Sequence, residues 1–269
     1  MPEGPECRRY ALSLGDHVGG EELTEVEIVS GRYLKKNIIQ GLEEILQQLP
    51  IKVVGVGVHG KFIYCIFSNK YSLWSTLGMS GCWQKQSTKH TRVVLHFSSG
   101  KKAYFNDMRN FGTLRFCADP AILSSKLESL GPDLLAEDVS DEIFISQMRK
   151  NNDNNITKAL MDQKVIAGVG NYVKAEALWL SRISPHRKIS EIADKNLSIL
   201  NKALKNIMRE SFKSGGATIM SYSNFFGEIG NYSSRFMVYN QKQDPDGNEV
   251  IKETTPDGRT THWVPEVQV

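Results

Sequence analysis

Gly168-Val169-Gly170-Asn171-Tyr172 decides how the second half of this chain is read, because it falls between two stretches of helical spacing. Residues 156–161 before it and 171–181 after it carry apolar side chains on a helical period, so the glycines mark a tight double turn. A Gly-x-Gly also opens dinucleotide-binding fingerprints. That motif needs a third glycine and a preceding strand, and neither is here. The better reading is a helix-two-turn-helix, with Asn171 and the amides of the second helix turned to phosphate at a helix N-terminus.

Working outward, residues 141–150 and 191–214 also read as helices, and Gly215-Gly216 closes the last one. Leu130-Gly131-Pro132-Asp133 reads as a linker. Between residues 22 and 116 the pattern is mostly short strands: 53–58, 62–67, 71–77, 92–97, 102–105 and 113–116, with a short helix near 42–48. Short strands at regular spacing predict an antiparallel β-sandwich. Cys7, Ala11, Leu14 and Val18 recur at helical spacing ahead of it, and Gly19-Gly20 ends that run. At the other end, Pro245-Asp246-Gly247 and Pro256-Asp257-Gly258 are turn signals that fit hairpins, with strands at 250–254 and 260–264. The expected fold is therefore multidomain α and β. An N-terminal β-sandwich domain with flanking helices takes residues 1–130. A C-terminal helical domain takes residues 131–269, with a finger-like hairpin over about 235–269.

The 269 residues, 40% of them hydrophobic, suffice for two domains with real cores. A formal net charge of +3 permits nucleic-acid binding without arguing for it. Cys7, Cys65, Cys82 and Cys117 form no CxxC pair, and no secretory signal or apolar run of membrane-spanning length is present. Reduced thiols in an intracellular compartment are expected, with no membrane partner. The six histidines show no metal-ligand spacing, and no cofactor motif is present.

The first residues are Met1-Pro2-Glu3-Gly4-Pro5-Glu6. Initiator methionine is normally trimmed before a small residue. Trimming exposes a secondary amine on Pro2, with a carboxylate one residue away. Such an amine attacks an aldehyde carbon, and the carboxylate moves protons. The same hexapeptide also suits a plain helix start, where proline and acidic residues are favoured.

Six stretches, in order, resemble the Fpg/Nei family of DNA glycosylase/AP lyases: residues 1–6, His59-Gly60-Lys61, Leu77-Gly78-Met79-Ser80-Gly81, Asp107-Met108-Arg109-Asn110-Phe111-Gly112, the Gly168 turn, and the tail from Gly258 to Gln268. The resemblance implies Pro2 as nucleophile, Glu3 as proton donor to the sugar, and Glu6 as a supporting acid. It makes Lys61 a phosphate contact near the flipped nucleotide, Asn171 a phosphate holder, and Arg259 the finger arginine that clamps phosphate. It also assigns Met79, Arg109 and Phe111 to the hole left by the flipped base, where inserted side chains offset the cost of unstacking. Asn110 stands where a second arginine is frequent, which weakens one phosphate contact. In the tail, Val264 and Val267 replace cysteines, and residues 239–247 have none. This is similar to the zincless-finger branch of the Nei-like enzymes, with Val250, Trp263, Val264 and Val267 packing in place of metal. Gly216-Ala217-Thr218 and the loop 221–231 are expected to border the lesion pocket.

The implied function is a bifunctional DNA glycosylase/AP lyase of base excision repair. It would excise oxidised pyrimidines and ring-opened purines through a Pro2 Schiff base and then cleave by β,δ-elimination. Its partner would be damaged DNA, duplex or single-stranded, with the protein acting as a monomer wherever genomic DNA lies. An 8-oxoguanine preference, and a non-catalytic damaged-DNA-binding protein on the same scaffold, fit many of the same residues. An unrelated enzyme with a proline amine gives no reason for the Arg109 and Arg259 loops.

Overall fold

A computed structural model describes residues 2–36, 38–217 and 225–269. The chain divides into two compact units. One holds Pro2 with Glu6–Glu128 and Gly215–Gly230, and the other holds Glu3–Pro5, Ser129–Ser214 and Asn231–Val269. A single boundary after residue 130 therefore leaves out two exchanges. Glu3–Pro5 joins the second unit because the Gly4 N–H donates to the Gly168 carbonyl at 2.8 Å. Gly215–Gly230 joins the first, where Phe225 is buried in its core.

The first unit takes α1 (Gly4–Val18) from Glu6 onward, followed by β1 (Glu22–Ile28), α2 (Leu42–Leu46), β2 (Ile51–His59), β3 (Phe62–Phe67), β4 (Ser72–Thr76), β5 (Gly81–Gln84), β6 (Thr91–Phe97), β7 (Lys102–Asp107), β8 (Thr113–Cys117) and α3 (Pro120–Glu128). The strands run in the order β5-β7-β6-β1-β2-β3-β4-β8, antiparallel throughout. Only Glu22↔Lys52 and Leu23↔Ile51 join β1 to β2, so the pairing is shortest there, between two four-stranded halves. Both halves feed one core: Leu23, Val93, Leu95 and Phe105 from one, and Val53, Ile63, Phe67, Leu73 and Phe116 from the other. Cys7, Tyr10, Ala11, Leu14 and Val18 of α1 complete it, on the face that their spacing predicts. Helix α3 went unread because Leu123 is its one buried residue, so no apolar stripe announces it.

The second unit contains α4 (Asp141–Arg149), α5 (Ile156–Met161), α6 (Asn171–Leu180), α7 (Asp194–Lys213), β9 (Ile251–Thr254) and β10 (Thr260–Trp263). Ser140 and Asn155 cap α4 and α5 by accepting N–H groups of their first turns. Helix α7 starts three residues later than its spacing suggests. The Glu191 carboxylate accepts the Lys188 N–H instead and closes a separate 3-10 turn. Helix α6 is buried from Tyr172 to Leu178, including Lys174 and Glu176. Strands β9 and β10 pair antiparallel from Thr260↔Thr254 to Trp263↔Ile251. Among the described residues no helix is long and apolar enough to cross a membrane, and the four cysteines are free.

Candidate active site

Glu3 is buried, and its place is fixed by the start of α6. Its Oε1 accepts the Tyr172 N–H at 2.9 Å and its Oε2 the Val173 N–H at 3.2 Å. A helix N-terminus leaves these donors unpaired and carries the positive end of the helix dipole, so a carboxylate is favoured there. A Cβ on Gly170 would lie 2.2 Å from the Glu3 Cδ, so glycine is required for the carboxylate to approach. Gln163 clamps the turn: its Oε1 accepts the Gly168 N–H at 2.9 Å, and its Nε2 donates to the Val169 and Met161 carbonyls. The amides of Tyr172 and Val173, expected to hold phosphate, are therefore occupied by the chain's own carboxylate. Asn171 Nδ2 donates to the Thr260 carbonyl at 2.8 Å, and an amide nitrogen carries a second hydrogen.

In the first unit, Pro2 is buried just ahead of α1. Glu6, also buried, accepts the Ala217 N–H at 2.8 Å. Gly230 packs under Gly215 and Gly216 so closely that a Cβ would sit 2.2 Å from the Gly216 oxygen. Of the expected lesion-pocket border, Thr218 and residues 221–224 lie outside the described residues, as does Met1. Lys61 stands in a two-residue hairpin turn, since His59 pairs with Phe62. Gly60 supplies the left-handed φ of +56° that such a turn needs.

The void-filling candidates come together on two loops. Arg109 Nη1 lies 3.2 Å from the Met79 sulfur, and the guanidinium sits over the Phe111 ring at 5.9 Å. Asp107 ties the loops: its Oδ1 accepts from Ser80 Oγ at 2.5 Å and Arg109 N at 3.2 Å, and its Oδ2 from Gly112 N at 2.8 Å. Arg92 braces the same loop by donating to the Asp107 and Met108 carbonyls. Asn110 adopts φ +57°, a left-handed conformation that asparagine tolerates better than arginine does.

Arg259 is exposed in the β9–β10 turn. Its N–H reaches Asp257 Oδ1 at 3.4 Å, and its carbonyl accepts from Thr255 N at 3.0 Å. Asp257 Oδ2 in turn accepts from the Lys174 ammonium, and both side chains are buried. Burial pulls Lys174 below its ordinary value against the opposing pull of Asp257 and Glu3. Burial alone would raise Asp257, but Lys174, Thr255 and the Arg259 N–H outweigh it and hold the carboxyl below its usual range. Two residues along α6, Glu176 accepts the N–H groups of Met237, Val238 and Tyr239 and fixes the chain entering the hairpin. The Tyr239 phenol is raised by burial while Asn171 and Glu3 pull in opposite directions, which brings this tyrosine into the same neighbourhood.

Three family models match in chain order. The formamidopyrimidine-DNA glycosylase N-terminal domain matches residues 1–114, its H2TH domain 130–223, and its C-terminal domain 228–269. Proteins named formamidopyrimidine-DNA glycosylase from Shouchella clausii (strain KSM-K16) and Bacillus subtilis (strain 168) are 31% and 30% identical over 277 residues, covering 100% of this chain and 99% of each relative. The chain belongs to the formamidopyrimidine-DNA glycosylase family. Membership carries the enzyme class, a DNA N-glycosylase with AP lyase activity acting in base excision repair. The architecture agrees. A mutant Lactococcus lactis FPG bound to Fapy-dG containing DNA matches with a TM-score of 0.88 at 25% identity over 99% of both chains. MutM (FPG) from Thermus thermophilus matches with 0.87 at 27% identity over 99% of this chain and 98% of that one.

Zinc does not fit the tail of this family member. No cysteine follows Cys117, and among the described residues no group of three His, Cys, Asp or Glu could hold a metal ion. Val250 and Val264 pack instead with Ala175 and Val238, flanked by Trp179, Tyr239 and Val267. Trp263, expected in that cluster, packs edge-on against His186 and donates to Glu253. Gln163, Lys174, Asp257 and Tyr239 were not singled out from the sequence. Lys174 and Glu176 could have been, since a lone lysine and glutamate inside so apolar a helix are rarely buried without partners.

Proposed function

We propose that Pro2 and Glu3 carry the chemistry. With Met1 removed, the Pro2 amine attacks C1′ of the damaged nucleotide as the bond to the base breaks. Glu3 delivers a proton to the sugar, which opens to an iminium joined to Pro2. Loss of the 3′ and then the 5′ phosphate by β,δ-elimination cuts the strand. The observation that carries this reading is the Glu3 carboxylate, one residue after Pro2 in the chain, buried and held by two amides at the start of α6. An acid/base group works only from a fixed position.

Damaged DNA is the partner. Relatives named for formamidopyrimidine lesions, and a solved relative bound to Fapy-dG DNA, support ring-opened purines as substrates. The cysteine-free tail and the Met79, Arg109 and Phe111 trio are the grounds for proposing oxidised pyrimidines beside them. An 8-oxoguanine preference is the second reading, favoured by a solved MutM bound to carbocyclic 8-oxo-G containing DNA. Lys61, Asn171 and Arg259 hold phosphates, while Met79, Arg109 and Phe111 fill the hole left by the extruded nucleotide.

Borohydride reduction during turnover on a lesion-bearing duplex tests the nucleophile. The adduct should map to a peptide that begins at Pro2. An adduct on an internal lysine would overturn the assignment. Base release from duplexes carrying a ring-opened guanine, an oxidised pyrimidine or 8-oxoguanine ranks the substrates. A clear 8-oxoguanine preference would replace the first reading by the second.

A further inference from the structure

We propose that the buried Lys174–Asp257 ion pair positions Arg259, standing in this chain where metal ligation would otherwise hold the finger turn. The inference rests on the reading of Arg259 as a phosphate contact.

A two-stranded hairpin as short as β9–β10 is marginal by itself and needs an outside tether. The apolar cluster around Val250 and Val264 supplies burial at the base of the hairpin, away from the turn that carries Arg259. At the turn the links are polar. Asp257 Oδ1 accepts from Thr255 Oγ1 at 2.6 Å and from the Arg259 N–H, and Thr255 Oγ1 also pairs with Thr261 Oγ1 at 2.6 Å. These bonds shape the turn, but all lie within the hairpin. Lys174 is the partner of Asp257 from outside it. It projects from the helix whose first amides hold Glu3 and whose Asn171 side chain reaches the Thr260 carbonyl. One rigid helix thus references both the catalytic carboxylate and the phosphate-binding arginine. A buried ion pair adds little net stability compared with apolar residues of similar volume, so its use here is geometric.

The test is a double-mutant cycle between the pair and the arginine. Lys174→Met with Asp257→Asn removes both charges without stranding either, and Asn keeps an oxygen for Thr255 and the Arg259 N–H. Binding to a duplex carrying an uncleavable abasic analogue is measured across a salt series. The pair variant should melt near wild type, bind about tenfold more weakly, and lower the salt slope by about one. Arg259→Ala should do the same, and the combined variant should be no weaker than Arg259→Ala by more than about twofold. Full binding by the pair variant, or losses that add to those of Arg259→Ala, would overturn the inference. Full binding by Arg259→Ala would instead remove the phosphate reading itself, and the inference with it. Should the pair variant fail to fold, Lys174→Leu with Asp257→Asn, which likewise leaves no buried charge unpaired, enters the same cycle with the same outcomes.

Discussion

Asp107 and Asp257 each accept the backbone N–H of an arginine two residues further on, at 3.2 Å for Arg109 and 3.4 Å for Arg259. Both arginines are exposed and both aspartate side chains are buried. The remaining partners differ. Asp107 is satisfied by neutral donors, Ser80 Oγ and the Gly112 amide, and so ties its loop to the loop of Met79. Asp257 takes a buried ammonium from α6. Two loops that brace each other need only local hydrogen bonds. A hairpin turn standing at the end of two short strands needs a tether of longer reach, and a lysine side chain supplies it.

The largest consequence is in stability. Asp257→Ala strands the Lys174 charge in the interior, and breaking a buried pair from one side costs about 3–5 kcal/mol. Asp107→Ala leaves the Gly112 amide without its carboxylate, while the Arg109 N–H keeps Ser80 Oγ at 2.9 Å. That loss should be about 1–3 kcal/mol. Urea unfolding of the two variants measures the difference. Equal losses would mean that the two aspartates hold their loops by the same means.

The arginines should separate by substrate. If Arg259 contacts phosphate as proposed, Arg259→Ala should lower cleavage about tenfold on single-stranded and duplex lesions alike. Arg109→Ala, Phe111→Ala and Met79→Ala remove the side chains proposed to fill a duplex. They should cost a few-fold to about tenfold on duplex and little on single strands, where there is no stack to fill. Parallel losses on both substrates for Arg109→Ala would break the contrast.

A smaller effect is in pH. Burial lowers Lys174 from its ordinary value of 10.5, and removing Asp257 takes away the leading opposing pull. A base with a folded value below its unfolded one binds fewer protons when folded, so stability rises with pH between the two values. The stability deficit of Asp257→Asn should therefore shrink as pH climbs towards 10.5. Asp107→Asn strands no buried lysine, and its deficit should stay flat. Unfolding curves at pH 7 and 10 compare them, and a flat Asp257→Asn deficit would mean that Lys174 escapes to water.

How far each region was legible follows from the range of its interactions. The Cys7–Val18 stripe, the strand runs and the Gly168 turn lie in local periodicity and turn chemistry, and they stand in the structure. The grouping of Met79, Arg109 and Phe111 was carried by the resemblance of two motifs. No local pattern could say that Glu3 would cover Gly170 and take the amides meant for phosphate, since the two are far apart in sequence and meet through the fold. The Lys174–Asp257 pair was hidden for the same reason. Asp257 read as an ordinary turn residue, and only burial distinguishes it. Strand β5 was missed because the Gly-flanked motif ahead of it reads as loop, and its pairing with β7 is a tertiary choice.

The smallest expected effect concerns metal. The tail has no thiolate to offer, and the positions that the resemblance matches to cysteines are valines, Val264 in the apolar cluster and Val267 packed against it. Zinc binding stabilises a finger by gathering ligands that would otherwise spread. Here the gathering is done by Val250, Val264 and their neighbours at the base, by Glu176 on three amides, and by Lys174 at the turn. Prolonged treatment with a strong chelator should therefore leave strand cleavage and the unfolding midpoint unchanged, and elemental analysis should find no stoichiometric zinc. A drop in the midpoint on chelation, restored by added zinc, would mean that a metal holds this hairpin after all. The contrast between a loop fixed by neutral donors and a turn fixed by a buried cation would then lose its second half.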